Sequence, residues 1–248
     1  MYKLKMKWGL IIKAAIIAIP LLALKALFHF LGVEIVAVGP VITALVAGVF
    51  FVIAIILSGV LTDFKESEKM PGELAVSIEA LYKDTKLIGD EDAAAEMLTH
   101  VKDLVHTVTQ NFKRKGSWKL SEVNAVIDQI DDDIKSFAEK GVPMPLILKL
   151  RNELGNIKRI SNRVDVIKET AFLPAAYAIA EFSTGVALLV LLLSKTDPYY
   201  EGLLLLGAIS IIMISVVLLI KDMDNPFEGH ATVDLGHLYK LDKYLGNL

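Results

Sequence analysis

The sequence predicts an all-α, polytopic membrane protein with four transmembrane helices and a helical domain between its two membrane hairpins. Three observations support this fold class. The 248-residue chain has a mean hydropathy of +0.53, and four separate apolar segments account for that value. A long charged stretch separates the second apolar segment from the third. Within that charged stretch the apolar residues recur at helical spacing, as in amphipathic helices.

The first predicted span covers about residues 8–30. Lys3, Lys5, Lys7 and Lys13 lie at its beginning, whereas the loop that follows it, LGVEIVAVGP, contains no Lys or Arg. The positive-inside rule therefore places the N-terminus in the cytoplasm. The apolar run is too long for a signal peptide, and no small-residue cleavage site follows it.

Lys25 is an unusual residue in this first span. An ammonium at the lipid centre costs about 3 kcal/mol. One interpretation is structural: the side chain snorkels to the outer interface or pairs with Glu34. The other is functional: Lys25 is a cation that attracts ions toward the outer vestibule.

The second predicted span, about residues 40–62, is the segment around which the chain is organised. From Ile35 to Thr62 there is no charged side chain, and at ~1.5 Å per residue the part after Pro40 can cross a ~30 Å hydrocarbon core. Helical spacing puts one stripe of residues on a single face. That stripe consists of Thr43, Val46, Phe50, Ala54 and Ser58.

Two interpretations of this stripe remain open from spacing alone. Repeated around a symmetric oligomer, it would form a narrow apolar constriction with a hydroxyl-bearing mouth at each end. Alternatively, its small and hydroxylated residues form an ordinary surface for packing against another helix.

The charged stretch, residues 63–168, holds 17 Lys and Arg against 19 Asp and Glu and predicts four amphipathic helices. We expect the first to begin at Pro71, because proline suits a first helical turn. The second begins near Asp90, which is a good N-cap residue. The third opens at Ser121, and the fourth runs from Pro145 towards the membrane.

The fourth of these helices has a basic face. Such a face is usually solvated or meets anionic lipid headgroups; lining a cytoplasmic vestibule for anions is the alternative. The residues of this face are Lys149, Arg151, Lys158, Arg159 and Arg163.

The third and fourth spans are predicted at about residues 170–193 and 202–220, so both termini are cytoplasmic. Glu181 lies inside the third span, where a carboxylate is costly unless it faces protein or water. We expect it either to pair with Lys25 or to be neutral and hydrogen-bonded, rather than to coordinate an ion directly. The predicted domains are therefore a hairpin (1–62), a cytoplasmic helical domain (63–168), a second hairpin (169–221) and a docking tail (222–248).

Several function classes find no support in the sequence. The chain has no cysteine, which excludes disulfides and thiolate sites, and its net charge of -3 gives no footprint for nucleic acid. His100 and His106 are six residues apart, which does not fit a helical zinc pair. Asp131, Asp132 and Asp133 lack the spacing of a calcium loop and indicate a solvated face instead. We therefore predict no cofactor, no metal and no enzymatic activity.

The end of the last span carries a resemblance to a known family. The segment Asp224-Asn225-Pro226-Phe227-Glu228-Gly229 resembles the NPFG-type signature of bestrophins, which are pentameric ion channels with both termini in the cytoplasm. The stretch DFKESEKMPGE at residues 63–73 is similar to one that recurs in bestrophin-like membrane proteins of prokaryotes. Gly39-Pro40, followed by the stripe of the second span, is similar to the bestrophin pore helix, and Phe172-Leu173-Pro174 resembles the entry to the third span.

The resemblance implies an oligomeric channel in the cell membrane, a pentamer as in bestrophins. Val46, Phe50 and Ala54 match the positions that form the neck, the apolar constriction of the bestrophin pore, and of these only Phe50 keeps an aromatic ring. Thr43 and Ser58, at the ends of the same stripe, would also line the pore. The permeant species would be a monovalent ion, with anions such as chloride favoured. The acidic cluster that forms a calcium clasp in calcium-activated relatives is not matched after Gly229. A non-conducting scaffold or signalling protein with the same fold is the alternative.

Overall fold

The structure is a computed structural model that describes residues 2–114, 118–169, 174–227 and 232–247, with side chains from residue 8 onward. Two compact units make up the chain: residues 1–64 with 171–231, and residues 65–170 with 232–248. The predicted tail, 222–248, is thus divided between them. In chain order the elements are α1 (Tyr2–Leu31), β1 (Val36–Ala37), α2 (Pro40–Thr85), α3 (Glu91–Lys113), α4 (Leu120–Glu139), α5 (Met144–Glu169), α6 (Pro174–Leu193), β2 (Ser194–Lys195), α7 (Tyr199–Met223) and α8 (Gly236–Gly246).

The four-span prediction is confirmed in number and place. Four helical stretches are long and apolar enough to cross a membrane, within residues 8–31, 40–85, 144–193 and 199–223. The last of these begins and ends three residues beyond the predicted 202–220. The predicted third span includes residues 170–173, which lie outside the described part of the chain. The rest of this span is helix α6.

The first unit is a bundle of long apolar helices. In it α1 packs along α7, and α6 packs against both of them. The first part of α2 joins their core through one face, made of Ile42, Val49, Ile53 and Val60. The short strands β1 and β2 pair in parallel, with Val36 opposite Ser194. This pairing joins the loop between α1 and α2 to the end of α6.

Helix α2 differs from the prediction at Pro71. Instead of ending in the membrane and restarting at this proline, it continues without a break for 46 residues. A proline inside a helix removes one backbone hydrogen bond and is unfavourable by about 3 kcal/mol. Burial of Met70 and Leu74 beside it, and of Ile78 and Leu81 one and two turns further on, offsets that cost.

The second unit packs the amphipathic faces of its helices together. Asp90 caps α3 as predicted, since its carboxylate accepts a hydrogen bond from the Ala93 N–H at 3.1 Å. Helix α4 packs against both α3 and α5, and α8 packs against α3. The predicted stripes are buried, including Val105 in α3 and Ile130 in α4. The last part of the predicted tail is therefore a helix with a buried face rather than a free linker.

Candidate functional site

The predicted stripe of α2 lies where the helix leaves the core of the first unit. Thr43, Ala54 and Ser58 are exposed in the single chain, while Val46 and Phe50 are partly buried at the edge of the core. The middle of the stripe therefore packs partly against the core of its own chain, and the rest of it is exposed. No charged side chain lies on it, so its surface is apolar in the middle and hydroxyl-bearing at the two ends.

Val46 and Phe50 also form one wall of a cavity inside the first unit. The cavity has a volume of about 370 Å³, is partly open to the surface, and is bounded on the other side by Leu205 and Ile209 of α7 and by Thr196. Because Phe50 lines this cavity, empty space lies next to its ring. A side chain with space beside it can change rotamer at low cost, whereas a close-packed one cannot.

The face of α2 beside the stripe is apolar and bare in the single chain. Val41, Phe51 and Ile55 are 82%, 68% and 57% exposed, respectively. Exposed apolar surface of this extent on a membrane helix is covered either by lipid or by another protein surface.

Lys25 is fully buried, and its ammonium has three oxygen partners. Its Nζ lies 2.7 Å from a carboxylate oxygen of Glu34, donates to the Leu192 carbonyl at 3.2 Å and also donates to the Ser194 carbonyl. The pairing with Glu34 is therefore confirmed. The other interpretation, a free cation that attracts ions, does not fit this geometry, because an ammonium with 0% exposure and a bound carboxylate presents no charge to solvent.

Glu34 has a second side-chain partner, His29. The Nδ1 atom of His29 lies 2.8 Å from the other carboxylate oxygen of Glu34, and the imidazole stacks on the ring of Tyr199 with centroids 4.0 Å apart. Burial works against the charged form of Glu34, but the hydrogen bonds from His29 and Lys25 and their positive charge outweigh it. The pKa of Glu34 is therefore held below its usual value.

Glu181 does not pair with Lys25, which corrects one of the two alternatives given above. Its carboxylate instead forms an ion pair with Lys221, near the end of α7. The reason is the direction of the helices. Glu181 lies in the first half of α6, whereas Lys25 lies near the last turns of α1 and binds the carbonyls at the end of α6, so the two charges are at opposite ends of the bundle.

The basic face of α5 is largely neutralised within the second unit. Lys149 donates to Asp84 at 2.7 Å, and Arg163 donates through two nitrogens to Glu66 at 3.1 and 3.3 Å. Arg151 lies 4.0 Å from Asp131. Lys158 and Arg159 are exposed. Most of this face thus binds acidic side chains of the same chain, which weakens the case for an anion-lining surface.

The aspartate run of α4 does not converge on one point. Asp131 and Asp132 both bind Lys135, while Asp133 accepts a hydrogen bond from His100 at 2.7 Å. Burial raises the pKa of Asp133, against the effect of the His100 hydrogen bond. Within the described residues, no group of three His, Cys, Asp or Glu side chains could hold a metal ion.

The signature segment closes α7. The N–H of Asp224 donates to the Ile220 carbonyl at 3.2 Å, which ends the helix, and Phe227 is buried in the same unit. Asn225 and Pro226 form the bend between them. Gly229, together with Glu228, lies outside the described residues, as do Phe172 and Leu173.

A comparison with protein families assigns the chain. Its residues 15–236 match the family described as Bestrophin-like domain. The chain belongs to the bestrophin-like family. This match covers most of α1, the other three membrane helices and the helical stretch between the hairpins. The sequence resemblance covered the two hairpins and rested on helical character alone across about residues 87–168. No curated protein matches the sequence.

Solved structures share the bestrophin-like fold with this chain. A variant of a bacterial bestrophin homologue from Klebsiella pneumoniae is 14% identical, with 97% of this chain and 99% of that chain covered and a TM-score of 0.74. A second variant of the same homologue has a TM-score of 0.77 at 14% identity, with 96% and 97% covered. A structure described as a membrane protein has a TM-score of 0.79 at 13% identity, also with 96% and 97% covered. At these identities the likeness establishes the fold.

Two side-chain contacts of this bestrophin-like chain were not predicted from the sequence. The link from His29 to Glu34 could have been found, since both residues lie within one loop length of Lys25. The link from Glu181 to Lys221 could also have been found, because an antiparallel hairpin brings the start of α6 and the end of α7 to the same side. The parallel pairing of β1 with β2 joins segments far apart in sequence, and two-residue strands leave no alternation to detect.

Proposed function

We propose that this protein is an oligomeric ion channel that passes monovalent ions, with anions such as chloride favoured. In this proposal the first parts of α2 from several copies surround a pore, and Val46, Phe50 and Ala54 form a hydrophobic neck. Thr43 and Ser58 provide the polar mouths on either side. The observation that carries the proposal is the uncharged stripe on α2, which lies beside a bare apolar face that copies of α2 could cover.

The physical mechanism is passive conduction. An apolar constriction imposes a dehydration barrier, so an ion crosses only where the neck is wide enough or wets readily. Hydroxyls at the mouths partly replace lost water. The absence of any carboxylate between Ile35 and Thr62 removes the ring of negative charge that cation channels use, which favours anions.

The assembly and orientation follow from the family and from the charges. A pentamer is the assembly we propose, by resemblance to bestrophins, and rotational symmetry would place the same stripe of every copy at the axis. Lysines precede the first span, whereas the following loop has none, so both termini and the helical unit would lie in the cytoplasm of a cell membrane.

A non-conducting scaffold is the second candidate. A groove of about 600 Å³ in the second unit lies between α2 and α8, lined by Val76 and Glu79 on one side and by His237, Lys240 and Tyr244 on the other. Its mixed apolar and charged lining suits a peptide segment of a partner. In this case α2 would act through packing alone.

The test is single-channel recording of purified protein in planar bilayers under a KCl gradient. We expect a reproducible current with an anion-selective reversal potential, and Phe50→Ala should change its conductance or leak. Phe182→Ala is the matched control, since that ring is 75% exposed on α6, away from α2. Silence from intact oligomers, or equal effects of the two variants, would favour the scaffold.

A further inference from the structure

A groove on the first unit opens between three membrane helices. It has a volume of about 500 Å³, and most of its lining is aliphatic. The aliphatic side chains include Ile17, Leu21 and Leu24 of α1, Leu188 of α6, and Ile214 and Val217 of α7. An apolar groove of this kind between membrane helices suits a lipid acyl chain.

The floor of the groove is open at Gly185. A Cβ placed on this glycine meets no atom within 4 Å, so the space above it is free. Gly185 and the groove-lining Thr184 lie in consecutive positions of α6. The missing side chain is therefore part of what makes the groove deep enough for an occupant.

One hydroxyl in the lining lacks a partner. Thr184 is 7% exposed, and its Oγ1 makes no hydrogen bond to any of the described residues. A threonine in a helix usually donates to a carbonyl one turn earlier, as Ser183 beside it does to Ile179 at 2.7 Å. A buried hydroxyl without a partner is unfavourable unless a ligand supplies an acceptor.

A pair of opposite charges stands at one end of the groove. Glu181 lines the groove, and Lys221 is bound to it. Both side chains are about half exposed, at 47% and 52%. Glu181 lies seven residues into α6, ~10 Å along the helix axis. This depth suits the region just below the headgroups of the leaflet on that side of the membrane.

We propose that the groove is a binding site for a phospholipid with a zwitterionic ethanolamine headgroup. One acyl chain would fill the aliphatic groove above Gly185. Thr184, whose Oγ1 is buried as the structure stands, would rotate to donate a hydrogen bond to the ester carbonyl. The headgroup phosphate would bind Lys221, and the primary ammonium would donate to Glu181. A zwitterion matches a paired cation and anion in sign at both ends, whereas an anionic lipid would place its net charge beside the Glu181 carboxylate.

The test measures which lipid stays bound. The full-length protein is reconstituted in vesicles of equal phosphatidylethanolamine and phosphatidylglycerol, re-extracted in mild detergent, and its bound lipid is quantified by native mass spectrometry. We expect one ethanolamine lipid per chain, retained about tenfold over phosphatidylglycerol, the ratio that one charge-assisted hydrogen bond supplies. Equal retention of the two lipids, or a preference for phosphatidylglycerol, would overturn the proposal.

Variants separate the acyl site from the headgroup site. Gly185→Leu fills the groove and favours the helix, so the protein should fold and lose the lipid. The control Leu189→Phe adds bulk to an exposed position of the same helix and should retain it. Glu181→Lys with Lys221→Glu keeps an ion pair but reverses its direction, and should lose only the ethanolamine preference. Retention in Gly185→Leu equal to that of wild type would refute the site.

A second readout reports the occupant directly. With Leu188→Trp, brominated acyl chains on phosphatidylethanolamine should quench the new tryptophan beyond the quenching seen without the substitution. If another copy of the chain fills the groove instead, no brominated lipid will quench it, and the proposal fails. Because neither readout depends on ionic current, the result does not depend on whether the protein conducts.

Discussion

The ammonium of Lys25 binds the carboxylate of Glu34 at 2.7 Å, with the two side chains 0% and 4% exposed. The same ammonium donates to carbonyls at the end of α6 and the start of β2. One charged group therefore fixes three segments of the chain at a single point. It also satisfies two carbonyls that the end of a helix leaves without partners.

We expect Lys25→Met to destabilise the first unit strongly. Methionine fills a similar volume but leaves Glu34 buried without its ammonium and leaves the Leu192 and Ser194 carbonyls unpaired. Removing one partner of a buried ion pair costs about 3–5 kcal/mol. Thermal unfolding in detergent should show a clear decrease in midpoint temperature.

The control for this prediction is Lys83→Met, which removes one partner of an exposed ion pair with Glu79 on α2. It should leave the midpoint unchanged. Adding Glu34→Gln to Lys25→Met should recover part of the loss, because the carboxylate is then no longer charged. If Lys25→Met alone were as stable as wild type, the ion pair would contribute little to the stability of the fold.

The lowered pKa of Glu34 predicts that the folded protein loses stability in acid. Because its folded pKa lies below its usual value of 4.5, the charged form is favoured by folding, and this stabilisation is fully present above 4.5. It is lost as pH falls through the lower folded pKa. The unfolding midpoint of wild type should therefore fall below pH 4.5 more steeply than that of Glu34→Gln. Parallel curves for the two proteins would contradict this.

Long, uniform patterns allowed much of the fold to be predicted from sequence. The membrane helices are apolar over about 20 residues, and few other structures accommodate such runs. The face of α4 that includes Val123 and Ile130 follows a strict helical period, and Asp90 is a strong N-cap signal. Each of these is a local property, so the sequence near the element is sufficient.

The errors came from properties that depend on distant parts of the chain. Pro71 is a helix-start signal locally, but burial on both sides of it keeps α2 continuous. A pair with Lys25 was one of two alternatives for Glu181, because both are charges in membrane segments, whereas helix direction puts Lys221 nearer. The side of α2 that carries Phe50 was predictable as a stripe, whereas the cavity behind the ring depends on how α7 packs.

A larger side chain in the proposed neck should reduce conduction. Ala54 is the smallest member of the stripe and is exposed, so Ala54→Phe adds a ring to every copy at one level of the pore. We expect single-channel conductance to fall severalfold, since a narrower apolar passage raises the dehydration barrier. Ala208→Phe, at an exposed position of α7, is the matched control. A similar decrease in both variants would place the stripe at a packing surface.

The attachment of α8 to the second unit gives the last prediction. Leu238 is fully buried where α8 packs on α3, and removing such a side chain to Ala costs about 2–5 kcal/mol. An 11-residue helix has little stability by itself, so the loss should release α8 while α3, α4 and α5 stay folded. Amide hydrogen exchange should accelerate across residues 236–246 in Leu238→Ala and remain slow in Lys243→Ala, which changes an exposed position. Uniform acceleration through α3 and α4 would instead mean that α8 is an integral part of the core of this unit.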